Sequence, residues 1–182
     1  MKTYVLIVSR TFPSTHKRKG DETYFVEKIL NELNDTSFQY QQFDRIAKLG
    51  VGGRKLHTIR GNYPLWKKRF EEIEKGEACL SLRYWSGKPY KSKQVEIARL
   101  TRGDGIGLQK LKFPDNDFFS YDFNMCIPYI CTKREGMRVV HPLSPITLSK
   151  NDGLAFEDFK EWFKGYDLGE PMALVHFTGF RY

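Results

Sequence analysis

The chain has 182 residues, with 30 Lys and Arg against 22 Asp and Glu, a formal net charge of +8 and an isoelectric point near 9.3. That length fits one domain, 1–182, able to bury a core without disulfide or metal staples. A hydrophobic content of 40% with 29% charged residues excludes wholesale disorder, and the apolar runs Val5–Val8 and Ile127–Ile130 fall far short of the ~20 residues of a membrane-spanning helix.

In chain order, Tyr4 to Arg10 is β-branched and apolar and reads as a buried strand. Thr11 to Gly20 is a polar loop holding Lys17-Arg18-Lys19. Asp21 is placed to cap a helix from Glu22 to Leu33, with Phe25, Ile29 and Leu33 on one face. The stretch from Asn34 to Gly53 has no clear period. After the basic run Arg54 to Arg60, Asn62 predicts an N-cap, Pro64 sits in the first turn, and Trp66, Phe70 and Ile73 share a helical face that Gly76 closes. Strands follow at Cys79 to Leu82, Gln94 to Leu100 and Ile106 to Phe113, with a turn at Ser86 to Pro89 and a hairpin signal at Gly103-Asp104-Gly105. Phe118 to Cys131 is aromatic and strand-like. Leu148 to Gly153 leads into a helix, Phe156 to Phe163, and Met172 to Thr178 is a last apolar strand. No βαβα alternation is present, so the expected fold is α+β: a mixed β-barrel with about three flanking helices.

Several motifs fail. Gly50-x-Gly52-Gly53-Arg54-Lys55 lacks P-loop spacing, and Gly103, Gly105 and Gly107 do not open a helix. The four histidines show no metal-binding spacing, so no metal and no cofactor is expected. Cys79, Cys126 and Cys131 are an odd number and are expected as reduced thiols. Met1-Lys2-Thr3 runs straight into a strand without leader features. A cytoplasmic monomer without membrane contact is the expectation.

Two clusters stand out. Arg54, Lys55, His57 and Arg60 lie within seven residues, just before a helix start, where cations and free backbone N–H groups favour an anion. Arg83, Trp85, Lys88 and Lys91 interleave aromatics and cations around a turn, as suits base stacking and phosphate neutralisation. The bland alternatives are a solvated basic edge and a hairpin packed on the core. Asp152, in Asn151-Asp152-Gly153, is the acidic candidate; its bland role is helix entry.

The run Gly53-Arg54-Lys55-Leu56-His57-Thr58-Ile59-Arg60 resembles the Gly-x-Lys-x-x-Thr-x-Arg signature of ASCH domains, in the PUA-like superfamily. Asn151 to Leu154, Glu157 to Phe159, Trp162-Phe163 and Val175 to Phe177 are similar to the helix and final strand of bacterial ASCH-like proteins. The resemblance implies a PUA-like barrel with a cleft and RNA or nucleotide binding. Some small members deacylate N4-acetylcytidine with a Lys, a Thr three residues on and a distant Glu. By resemblance Lys55, Thr58 and Asp152 take these places, with Asp shorter than Glu by one methylene.

The leading expectation is therefore a module that binds RNA or a nucleoside or nucleotide ligand in a basic cleft around Lys55 to Arg60. The alternatives are a small nucleoside amidohydrolase and a non-catalytic protein-interaction domain. Strict strand alternation would put Lys55 and Thr58 on opposite faces, so a catalytic role demands irregular backbone between them. For the amidohydrolase alternative, alanine at Lys55 or Thr58 is expected to abolish turnover and leave the melting temperature nearly unchanged.

Overall fold

A computed structural model describes residues 1–33, 53–113, 128–134 and 137–182. The expectation for Asn34 to Gly53, except Gly53 itself, and most of that for Phe118 to Cys131 lie outside these residues. The described elements are β1 (Lys2–Ile7), α1 (Phe25–Glu32), β2 (His57–Arg60), α2 (Tyr63–Glu74), β3 (Ala78–Trp85), β4 (Gln94–Leu100), a 3-10 turn (Arg102–Asp104), β5 (Gly107–Lys112), β6 (Tyr129–Arg134), β7 (Met137–Pro142), α3 (Pro145–Asn151), α4 (Phe156–Phe163) and β8 (Met172–His176).

Two sheets form. One has the order β1-β3-β4, with β1 parallel to β3. The other has the order β2-β8-β5-β6-β7 and is antiparallel throughout. The α+β class holds. Strand pairing closes no barrel among the described residues, and four α-helices are present rather than three.

Local chemistry explains the elements. Asn62 adopts φ 57° and its side chain accepts from the Leu65 N–H, so the expected cap starts α2, with Pro64 in the first turn. Trp66, Phe70 and Ile73 are its buried face. Asp21 does not cap α1; it accepts from Arg18, and the helix begins after Tyr24, itself at φ 57°. The first strand is an edge strand rather than a buried one, with Leu6 its fully buried side chain. Gly103-Asp104-Gly105 does not turn a hairpin. Thr101 and Asp104 form a reciprocal cap around a 3-10 turn, and the chain passes from β4 in one sheet to β5 in the other.

The helix absent from the sequence expectations, α3, starts at Ser144-Pro145 and ends at Asp152-Gly153. Gly153 has φ +83°, its N–H donates to Lys150 O, and the Leu154 N–H donates to Ser149 O. This is a Schellman stop, which glycine makes without steric cost. Asp152 thus stands at the end of one helix, not at the entry of the next. The core gathers β3, β8 and the inner faces of α1, α2 and α4 around Leu80, Leu82, Leu174, Phe159 and Phe177.

Candidate functional site

A cleft of about 810 Å³ opens between the end of β1, the start of β2, the β3–β4 hairpin and α4. Lys55, Thr58, Arg60, Trp85 and Asp152 all line it. They come from three separate stretches of the chain and meet because Arg60 ties β2 to the end of β1, the neighbour of β3, and because α3 ends against residue 55.

Lys55 precedes β2. The chain is irregular over residues 53–56, where the Leu56 N–H donates to Asn151 O and the Leu56 carbonyl accepts from the Phe177 N–H. The regular alternation begins only at His57. Lys55 and Thr58 can therefore both face the cleft, as a shared role demands, while His57 turns to the opposite side.

Lys55 is 1% exposed. Its Nζ donates to Asp152 O at 2.6 Å and to Asp152 Oδ1 at 3.1 Å, and lies 3.9 Å from the centre of the Phe25 ring. The carbonyl is one of those a helix end leaves without an intrahelical donor, so the lysine completes α3 as well as pairing with the carboxylate. Lys28 does the same one residue on, donating to Gly153 O at 2.7 Å. Burial holds the Lys55 ammonium below the ordinary lysine range, against the opposing pull of Asp152. Burial works to raise the Asp152 carboxyl, but Lys55 and His57 outweigh it and keep it below the usual carboxylate range. Lys28 is pushed down to about 8, by burial first and by Lys55 second.

A buried pair of this kind overturns one expectation. Truncating Lys55 strands the Asp152 charge, so the melting temperature must fall. Thr58 is the cleaner position for a functional test.

Arg60 lines the cleft and donates from Nη2 to Ile7 O at 2.5 Å, tying β2 to the end of β1. Its Nε is buried without a hydrogen-bond partner among the described residues. The walls are aromatic. Trp85 and Tyr90 of the hairpin stand 5.4 Å apart between ring centres, and Phe25, Trp162, Phe163 and Tyr166 face the same space. Tyr90 is 90% exposed and held at φ 63°, an uncommon conformation for a bulky residue.

The other expected site residues are elsewhere. Arg54 pairs with Glu32 at 3.0 Å and borders a separate hollow. Arg83 is held by Ser81 at 2.8 Å and by Glu96 at 3.4 Å. Lys88 and Lys91 are exposed on the hairpin and do not line the cleft. His57 is fully buried beside Asp152 and Tyr182, away from the cleft. The expected site residues leave out Phe25, Tyr90 and Trp162. Tyr90 belongs to the aromatic and cationic turn and Trp162 to a segment similar to ASCH-like proteins, while Phe25 carries only a helix-face signal.

No family model, no curated protein and no solved structure matches this chain.

Proposed function

We propose that this cleft binds a nucleoside or nucleotide. The observation that carries the reading is the meeting of Lys55, Thr58 and Asp152 in one aromatic-walled cleft of about 810 Å³. That volume lies within the usual range of small-ligand sites, about 300–1,000 Å³. Aromatic walls stack a planar base, and the Lys55–Asp152 pair and Arg60 offer polar partners. A long RNA footprint has weaker support, because Arg54 and Arg83 are paired with carboxylates outside the cleft. The resemblance to ASCH domains belongs to the same proposal. So does the PUA-like barrel, supported by the Arg60 bridge to Ile7 O and by the Val8 N–H donating to Arg83 O. No described helix is long and apolar enough to cross a membrane.

Trp85 and Trp162 make tryptophan fluorescence the direct test. Cytidine, N4-acetylcytidine and cytidine monophosphate are titrated against the whole chain. Saturable quenching is expected, weakened about tenfold by Trp85→Ala through loss of one stacking surface. No saturable signal from any of the three up to millimolar ligand refutes the reading.

A second reading, an amidohydrolase, is favoured by one further observation. A buried lysine whose ammonium is disfavoured shares the cleft with a threonine hydroxyl. In that reading neutral Lys55 takes the Thr58 proton as Oγ1 attacks the amide carbonyl. The C–N bond then breaks, the amine leaves with the proton from Lys55, and water hydrolyses the acyl-threonine ester. Asp152 orients Lys55. Mass spectrometry of N4-acetylcytidine should record cytidine and acetate from the wild type and none from Thr58→Val. Ligand binding without product formation would leave the cleft as a binding site alone.

A further inference from the structure

Behind Asp152 lies a chain of polar groups, buried at His57 and Asn151 and half-buried at Tyr182, that neither reading uses. His57 is 0% exposed, with Nε2 2.8 Å from the Tyr182 hydroxyl and Nδ1 facing Asp152 Oδ1 at 3.6 Å. The latter is an electrostatic contact beyond hydrogen-bond length, and Nδ1 has no hydrogen-bond partner of its own among the described residues. The Asn151 amide donates to the same hydroxyl at 3.0 Å. Gln109 clamps the Tyr182 backbone: its Nε2 donates to Tyr182 O, and its Oε1 accepts from the Tyr182 N–H, each at 3.1 Å. The phenol is therefore fixed by β5 and by the end of α3 together.

The proton inventory gives this chain a direction. The Asn151 nitrogen can only donate, so the Tyr182 oxygen accepts there. A neutral imidazole carries one proton. With that proton on Nε2, a bare Nδ1 lone pair would face the Asp152 carboxylate. With it on Nδ1, an N–H dipole faces the carboxylate, and the Tyr182 O–H donates to Nε2. Electrostatics select the second arrangement. Asn151, Tyr182 and His57 then form a line of donors aimed at Asp152, and Lys55 approaches the same Oδ1 from the cleft side at 3.1 Å.

We propose that His57 and Tyr182 are positioning residues of the cleft: they orient the Asp152 carboxylate, share its negative charge with Lys55, and so set how readily the Lys55 amine gives up its proton. The proposal rests on the reading of Lys55 as the proton-handling group of the cleft, and its test needs no ligand. The charged and titratable groups facing Lys55 are Asp152 at the end of α3, Lys28 on α1 beside the Phe25 ring, and Arg60 on β2; His57 acts through Asp152.

Tyr182→Phe keeps the ring and removes the hydroxyl. Nε2 then has no donor, the Nδ1–H keeps its tautomer but is less polarised toward the carboxylate, and Asp152 holds the Lys55 ammonium more strongly. In the whole chain carrying ¹³C-lysine, the Lys55 Cε resonance is followed against pH and assigned by its loss in Lys55→Met. The midpoint should rise by about half a pH unit or more in Tyr182→Phe and in His57→Leu. It should stay near the wild-type value in His57→Asn, whose amide nitrogen replaces Nδ1 as donor. A folded Tyr182→Phe with an unmoved midpoint overturns the proposal, even if its melting temperature falls. If His57→Leu does not fold, Tyr182→Phe and His57→Asn still decide. Nucleoside titrations on the same samples keep the two failures apart, since the midpoint can move with no ligand bound, and a ligand can bind with the midpoint fixed.

Discussion

Lys28 and Lys55 bring two ammonium groups into the interior at one helix end, donating to the consecutive carbonyls of Gly153 and Asp152. Only Lys55 has a carboxylate within bonding distance among the described residues. The two lysines therefore respond differently to change. Lys55→Met leaves Asp152 buried without its counter-ion and should cost about 3–5 kcal/mol. Adding Asp152→Asn should recover part of that loss, and a double-mutant cycle by urea denaturation reads the coupling. Strictly additive losses would mean that the pair is not formed in solution. Lys28, moved from 10.5 to about 8, binds fewer protons folded than unfolded over that interval. Stability contributed by this group must then rise with pH from about 8 toward 10, by at most roughly 3 kcal/mol. Above 10 the Tyr182 phenol, raised by burial, acts in the opposite sense. The urea midpoint of the wild type should rise relative to that of Lys28→Met across that window; parallel lines from pH 7 to 10 would place Lys28 in water.

The end of α3 is the element on which the site depends. Gly153 stands at φ +83°, and a Cβ there would lie 3.3 Å from both Arg54 O and Lys55 Cβ. Gly153→Ala should therefore cost more than the about 1–2 kcal/mol of left-handed strain, and should displace the carbonyls that receive Lys28 and Lys55. The urea midpoint and the Lys55 resonance should both move. A variant with wild-type stability would show that the Schellman stop does not set the site. This element also marks where the sequence stops being legible. Asn62, Pro64 and the phenylalanine spacing of 156–163 announce α2 and α4 because caps and amphipathic faces are local. Ser144-Pro145 and Asp152-Gly153 bracket α3 in the same language, but its seven residues are too short for a readable period. The parity of Lys55 and Thr58 is resolved by β2 starting at His57. Nothing local says that Asp152, 97 residues away, arrives beside Lys55. The basic hairpin misleads for the reverse reason: composition shows cations, but the pairing of Arg83 with Glu96 is written across two strands.

At the scale of the whole molecule, the five-stranded sheet encloses a rung of neutral imidazoles. His57 and His176 are direct partners across β2 and β8, with ring centres 5.6 Å apart and no exposed surface. Neither His176 nitrogen has a hydrogen-bond partner among the described residues, and burial pushes this ring down to about 2. Burial also depresses His57, with Asp152 opposing it. Both rings are neutral when folded and gain protons near the ordinary value of 6.5 when unfolded. Below that pH the unfolded chain binds more protons, so acid favours unfolding. Each ring contributes roughly 1.4 kcal/mol per pH unit until its folded value is reached. By about pH 4.5 the two rings together remove roughly 5 kcal/mol, a large part of a total stability of about 5–15 kcal/mol. Asp152 adds its own loss only once the pH falls below its unfolded value of 3.8. Urea midpoints between pH 7 and 5 should therefore fall steeply, and His176→Leu should flatten that slope by about half. The expected order of sensitivity is wild type above His176→Leu, so the variant gains on the wild type as the pH falls from 7 to 5 while both lose stability. A wild-type stability that stays level from pH 7 to 5 would mean that water reaches the two rings, and that the β2–β8 rung opens in solution.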